Sequence, residues 1–209
     1  MYSNIDFQSI NKPFIAMYGG SFNPIHTGHI QLAKYFLNKL NLDKLLLIPD
    51  RTPPHKSDKE MVSAHHRFNM CCLSVKNNEK IQVSDIEINR EGKSYTIDTL
   101  RSLEKLYPNC QLFLIMGADM FLSLHTWKDY KEIYQRAIIC AVPRDNDNID
   151  QLIEYSKTQS GLNCIISDQR MMNISSSEIR KLIAQKRPVS GLINEDVEKY
   201  IQKNLLYTG

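Results

Sequence analysis

Two histidines, His26 and His29, stand three residues apart at the start of a helical pattern, directly after Gly19-Gly20-Ser21. The glycines leave a short apolar run, Phe14 to Tyr18, that reads as a buried strand. A strand, a tight loop of small residues and a helix start form a cradle for phosphate groups. Backbone N–H groups and the positive end of the helix face the anion there. At i and i+3 the two imidazoles can face one ligand, and N–H donors aimed at phosphate oxygens stabilise the charge that develops when an α-phosphate is attacked. Such a reaction needs positioning and electrostatics rather than a covalent step. No serine or cysteine has an evident base partner that would suggest a side-chain nucleophile.

Four further segments could contribute chemistry. Ile174-Ser175-Ser176-Ser177-Glu178-Ile179-Arg180 has the S-x-x-E spacing of a capping box at Ser175 and Glu178, which alone describes a well-capped helix. Its hydroxyls, helix-start N–H groups and the Arg180 fork also suit a second clamp on a triphosphate. Pro53-Pro54-His55-Lys56 stiffens a loop that presents Lys56; in isolation it is an ordinary surface charge. In Ser94-Tyr95-Thr96-Ile97-Asp98-Thr99-Leu100, Thr96 is the expected N-cap and Asp98 falls in the first turn, which is a complete structural explanation. The alternative is that these helix-start N–H groups meet a substrate carboxylate. Met116-Gly117-Ala118-Asp119 follows another buried run, with Gly117 permitting close approach of a ribose or base and Asp119 accepting from it. Trp127, the single tryptophan, is either a core amphipath or a stacking surface.

The elements that must position these residues alternate. Candidate strands are Phe14 to Tyr18, Lys44 to Ile48, Ile81 to Val83 with Ile86 to Ile88, Gln111 to Met116, Ala137 to Val142, and Cys164 to Ser167. Between them lie helical patterns carrying Ile30, Ala33, Leu37 and Leu40, then about Ala64 to Lys76, then Thr96 onward to a stop at Pro108. Two helices close the chain, about Ser176 to Gln185 and Glu195 to Lys203. This order predicts an α/β fold, a Rossmann-like doubly wound parallel sheet with a small C-terminal helical part. The expected division is an extension over residues 1–12 and one domain over 13–209, its helical part starting near 168. Ligands in such sheets bind beyond the carboxyl ends of the strands, so the loops after Tyr18, Ile48, Ile88, Met116 and Val142 are the ones to watch.

Composition narrows the class. With 42% hydrophobic and 23% charged residues over 209 positions, the chain has the balance of a globular protein. A net charge of +3 is too small to argue for a nucleic-acid binder. No apolar run approaches a bilayer span and the polar N-terminus has no signal-peptide core, so the expected address is cytoplasmic, with no membrane partner. Five cysteines without C-x-x-C spacing give no disulfide framework or zinc site. The polar Asp145 to Asp150 stretch reads as a solvated loop, and a homo-oligomer is compatible with everything above.

The pair His26-Thr27-Gly28-His29 with the Ser175 to Arg180 segment resembles the signature of the HxGH nucleotidyltransferase superfamily. With Pro53-Pro54-His55-Lys56, Tyr95-Thr96-Ile97-Asp98-Thr99-Leu100, Gly117-Ala118-Asp119, Trp127 and Pro143-Arg144 added, the chain resembles the bacterial nicotinate-nucleotide adenylyltransferase family from about Phe14 to Tyr207. The resemblance implies that ATP and nicotinate mononucleotide give deamido-NAD and pyrophosphate, in NAD biosynthesis, with Mg²⁺ arriving with ATP and no metal site built from side chains. It implies an ATP site of Gly19, Gly20, Ser21, His26, His29, Gly117, Asp119, Ser175, Ser176 and Arg180, with His26, His29 and Arg180 catalytic. The mononucleotide would meet Asn23, Lys56, Tyr95, Thr96, Trp127 and Arg144. Asn23 stands where the family often has Asp, and Ser21 and Ser177 where Thr is common. Residues 1–12 lie beyond the family's usual start and carry no implied role. The same chemistry on another acceptor, and a non-catalytic nucleotide-sensing or RNA-binding protein, are the alternatives.

Overall fold

The computed structural model describes residues 1–6, 10–53, 61–143, 148–170 and 174–208. Among them, seven strands form one sheet: β1 (Tyr2–Ser3), β2 (Phe14–Gly20), β3 (Lys44–Pro49), β4 (Ile81–Val83), β5 (Gln111–Gly117), β6 (Ala137–Val142) and β7 (Cys164–Ile166). Their order is β1-β7-β6-β5-β2-β3-β4. All pairings are parallel except β1 on β7. The helices of the described residues that connect or follow the strands are α1 (Thr27–Lys39), α2 (Ala64–Val75), α3 (Thr96–Leu106), α4 (Ala118–Ser123), α5 (Tyr130–Arg136), α6 (Ile149–Thr158), α7 (Ser176–Ala184) and α8 (Glu195–Lys203).

Strand pleat explains why nearly every strand residue is apolar. Along β2, Ala16 and Tyr18 point into one core with Leu45 and Leu47 of β3, and with Phe36, Met70, Ile179 and Val197 of α1, α2, α7 and α8. Ile15 and Met17 point into the opposite core with Leu46 and Ile48, and with Leu100, Phe121, Ile133 and Leu152 of α3 to α6. A parallel strand covered on both faces has no polar side to show, so period-2 alternation disappears from the sequence. The C-terminal helices share the core of α1 and α2.

β2 is central: the chain proceeds outward to β3 and β4, then returns across β2 to β5 and continues the other way. The topological switch point therefore lies between the carboxyl ends of β2 and β5, where Tyr18 pairs with Ile115 and Gly117 ends β5.

Several sequence expectations need correction. Ile86 to Ile88 is a turn, not a strand: Glu87 is the buried residue of the three, held by the Thr99 hydroxyl at 2.6 Å, and Asn89 N–H closes the turn on Asp85 O. The extended run ends at Val83 instead. The first residue of α3 is Thr96, but its N-cap is Tyr95, which makes no side-chain cap bond. α6 begins inside the stretch expected to be a loop, capped by the Asn148 side chain on Asp150 N–H. The N-terminal stretch contributes a strand at the sheet edge, too short for any periodicity to register.

Candidate active site

At the switch point lies a cavity of about 310 Å³. Gly19, Gly20, Ser21 and His29 line it from β2 and α1, Asp50 and Pro53 from the end of β3, and Gly117 and Asp119 from β5 and α4. Ser94, Thr96 and Trp127 line it too and are shared with a second cavity of about 370 Å³, which Tyr95 and Lys128 also line.

The two histidines adopt different roles in the geometry. His29 reaches the cavity wall. Its Nδ1 accepts from the His26 N–H at 3.2 Å, so a neutral His29 carries its hydrogen on Nε2 and can donate through it. His26 sits behind, 4% exposed, with its ring stacked on His29 at 3.6 Å between centroids. Burial pushes the His26 imidazole down to about 4, so it is neutral at physiological pH. Its Nδ1 is buried without a hydrogen-bond partner among the described residues. Phe22 completes this aromatic cluster, edge-on to His29 at 5.1 Å and to Tyr18 at 5.6 Å. Phe22 holds a left-handed backbone (φ 46°), a conformation uncommon for an aromatic residue, and its ring is 3% exposed.

α7 is tied to the same loop. Ser175 caps it by accepting from Glu178 N–H at 3.1 Å, as its spacing predicts. Ser176 Oγ donates to Pro24 O at 2.9 Å, and Arg180 Nη1 to Asn23 O at 2.9 Å. Asn23 is buried, its Oδ1 accepting from Val62 N–H at 3.3 Å and from Tyr207 hydroxyl at 2.8 Å. The helix-start serines and Arg180 thus lie against the turn that leads into His26, although more than 150 residues separate them in sequence.

Trp127 is half-buried against the α3–α6 core and lines both cavities. Asp98 is engaged with Arg101 at 3.0 Å and Lys128 at 3.2 Å, so its first-turn charge serves an ion-pair cluster. Lys128 Nζ also lies 4.7 Å from the Tyr95 ring centroid. A Cβ at Gly117 would meet Asp119 Oδ1 at 2.8 Å, so that carboxylate would have to turn aside. Lys56 and Arg144, both expected at the mononucleotide, fall outside the described residues, as do Pro54 and His55.

Three residues that local pattern did not single out are part of the wall or its support. Asp50 lines the cavity and pairs with fully buried Arg67 at 3.0 Å. Glu87 also lines it, its carboxyl raised by burial. Position just beyond β3 would have flagged Asp50. Nothing local distinguishes Arg67 from the surface residues of an amphipathic helix.

Fold, switch-point cavity and histidine pair together define an α/β nucleotidyltransferase, and the cytidylyltransferase-like family matches residues 17–182. Nicotinate-nucleotide adenylyltransferases of Fusobacterium nucleatum and Clostridium tetani are 40% and 33% identical to the chain, each match covering 92% of it and 98% of the relative. The chain belongs to the nicotinate-nucleotide adenylyltransferase family. In fold it is similar to nicotinic acid mononucleotide adenylyltransferase of Plasmodium falciparum, solved in complex with NaAD, at a TM-score of 0.77 and 23% identity over 93% of this chain and 97% of that one. Among the described residues no helix is long and apolar enough to cross a membrane.

Proposed function

We propose that the cavity joins ATP and nicotinate mononucleotide by direct in-line displacement: the 5′-phosphate oxygen of the mononucleotide attacks the α-phosphorus, and pyrophosphate leaves. The observation that carries this reading is one continuous cavity at the β2/β5 switch point, lined both by Gly19, Gly20, Ser21 and His29 and by Ser94, Thr96 and Trp127. His29 Nε2–H is the donor we assign to the α-phosphate as charge develops there. His26 holds the His29 ring by stacking and through its backbone N–H. Ser175, Ser176 and Arg180 are assigned to the outer phosphates, and Gly117 and Asp119 to the adenosine.

On the acceptor side, Trp127 is assigned as the stacking surface for the pyridine, and backbone N–H groups near Thr96 and Trp127 as readers of its carboxylate. Tyr95 borders this region. Asn23, whose side chain is engaged with Val62 and Tyr207, acts through the loop it holds. Lys56 and Arg144 remain assigned to the mononucleotide by resemblance alone. Mg²⁺ brought in with ATP would neutralise phosphate charge. Asp50 is engaged by Arg67 and Ser21, and Glu87 by Thr99, so the ion would be held chiefly by phosphate oxygens and water. We read the substrates as the partners, with no nucleic acid or membrane, and the cytoplasm as the address.

The test is pyrophosphate release with ATP and Mg²⁺, comparing nicotinate and nicotinamide mononucleotides. A strong preference for nicotinate is expected. Equal use would overturn the carboxylate-reading assignment, and use of neither would overturn the reaction.

A further inference from the structure

We propose that Arg67 is a positioning residue for adenylyl transfer, fixing the nucleotide loop against the acceptor-side wall of the cavity. The proposal rests on the reaction assigned above. Arg67 lies in the first turns of α2, is 1% exposed, and is absent from the cavity lining. A guanidinium buried this deeply is tolerated only when its charge is paired and its donors are used. Nη1 donates to Ser21 O at 2.7 Å and Asp50 Oδ1 at 3.0 Å. Nη2 donates to Asp50 O at 2.7 Å and Arg51 O at 3.4 Å, and Nε to Val62 O at 3.2 Å.

All of these partners except Val62 belong to segments that have just left the sheet. β2 and β3 remain in register as far as Gly20 and Pro49, and Asp50 N–H still donates to Gly20 O at 3.1 Å. Beyond that point the ladder ends, and the planar fork of Arg67 takes over, bridging Ser21 to residues 50 and 51. Asp50 reinforces the bridge, its Oδ2 accepting from Ser21 Oγ at 2.8 Å. The far side is secured too: Arg51 N–H donates to Ser94 Oγ at 3.0 Å, and Ser94 N–H to Thr52 O at 3.0 Å. Ser21 and Ser94 both line the cavity, so Arg67 sits in the chain of bonds that sets the distance between them.

In-line transfer depends on that distance. Misplacement of about 1 Å costs on the order of 100-fold in rate, whereas each half of the cavity can still hold its own substrate. Lysine preserves the charge but has no planar fork to reach both segments. The Arg67–Asp50 pair is also close to electrically neutral, so it braces a phosphate site without opposing it.

The experiment uses the full chain with R67K and D50N. It measures thermal stability, affinity for a non-hydrolysable ATP analogue alone, affinity for nicotinate mononucleotide alone, and kcat with both substrates saturating. The expected result is folded protein, with D50N the less stable of the two because it leaves the buried guanidinium without its counter-charge, each separate affinity within about threefold of wild type, and kcat lowered by about 30–100-fold in R67K and at least tenfold in D50N. If kcat stays within about threefold in whichever variants fold, Arg67 is structural support and the proposal is overturned. Separate affinities that collapse together with stability overturn it equally, because general loosening of the fold would do that. D50N is nearly isosteric and carries the test if R67K does not fold. No turnover by wild type run alongside would instead overturn the reaction assignment.

Discussion

At the scale of single residues, the histidine pair divides into one ring on the cavity wall and one stacked behind it. His29 lines the cavity and is the donor proposed above, while His26 is neutral, buried and stacked behind it. His29→Ala should therefore lower kcat by about 10²–10³-fold, the range for removing one donor to developing charge, with mononucleotide affinity nearly unchanged. Steady-state kinetics beside direct binding would check this, and unchanged turnover would remove His29 from the chemistry. His26 makes a prediction about pH. Its folded value of about 4 lies below the ordinary 6.5, so the unfolded chain binds the proton more readily. Its contribution is whole above about pH 6.5 and is lost as pH falls toward 4, on the order of 3 kcal/mol across that window. Melting temperature measured between pH 7 and 4.5 should fall less steeply in His26→Asn than in the parent. Equal slopes would mean that His26 is not held neutral.

At the scale of elements, the start of α7 combines two tasks. Ser175 is exposed, yet its hydroxyl accepts from Glu178 N–H and so starts the helix cleanly. Ser176 and Arg180 bind the carbonyls of Pro24 and Asn23 and fix the helix against the His26 loop. Ser175→Ala should cost about 1 kcal/mol, the usual value of an N-cap. For a chain of this length that is a fall in Tm of roughly 2–4 °C. A drop in ATP affinity beyond this would support the phosphate role assigned to the same hydroxyl. A Tm that does not move would show that the cap is dispensable.

For the molecule as a whole, the sheet edge is the exposed liability. β7 would end the sheet with unpaired backbone groups, and β1 covers them, with Tyr2 opposite Ile166 and Ser3 opposite Ile165. Asn4 adds a side-chain clasp, Nδ2 donating to Leu162 O at 2.7 Å and Oδ1 accepting from Cys164 N–H at 2.8 Å. Deleting residues 1–6 should cost about 2–3 kcal/mol at roughly 1 kcal/mol per net hydrogen bond, and should promote association through the bared edge. Turnover of the remaining folded, unassociated protein should match the parent, because no residue of this stretch is among those lining the cavity. Light scattering and calorimetry read the first effect and a pyrophosphate assay the second.

The sequence by itself determined the apolar strand runs, the amphipathic helices and the motifs at the strand ends, because each is a local pattern of residue types over a few positions. It located Gly19 to His29, Gly117 with Asp119, and the Ser175 cap without reference to anything distant. It misread Ile86 to Ile88, because two isoleucines signal a strand while the decisive contact, Glu87 with Thr99, lies twelve residues away. Tertiary structure alone separated the two histidines into wall and buttress, brought α7 to the turn at Asn23 and Pro24, and buried Arg67 against Asp50. Those are contacts between segments remote in the chain. A buried guanidinium and a surface one are the same letter until packing decides which of them loses its water.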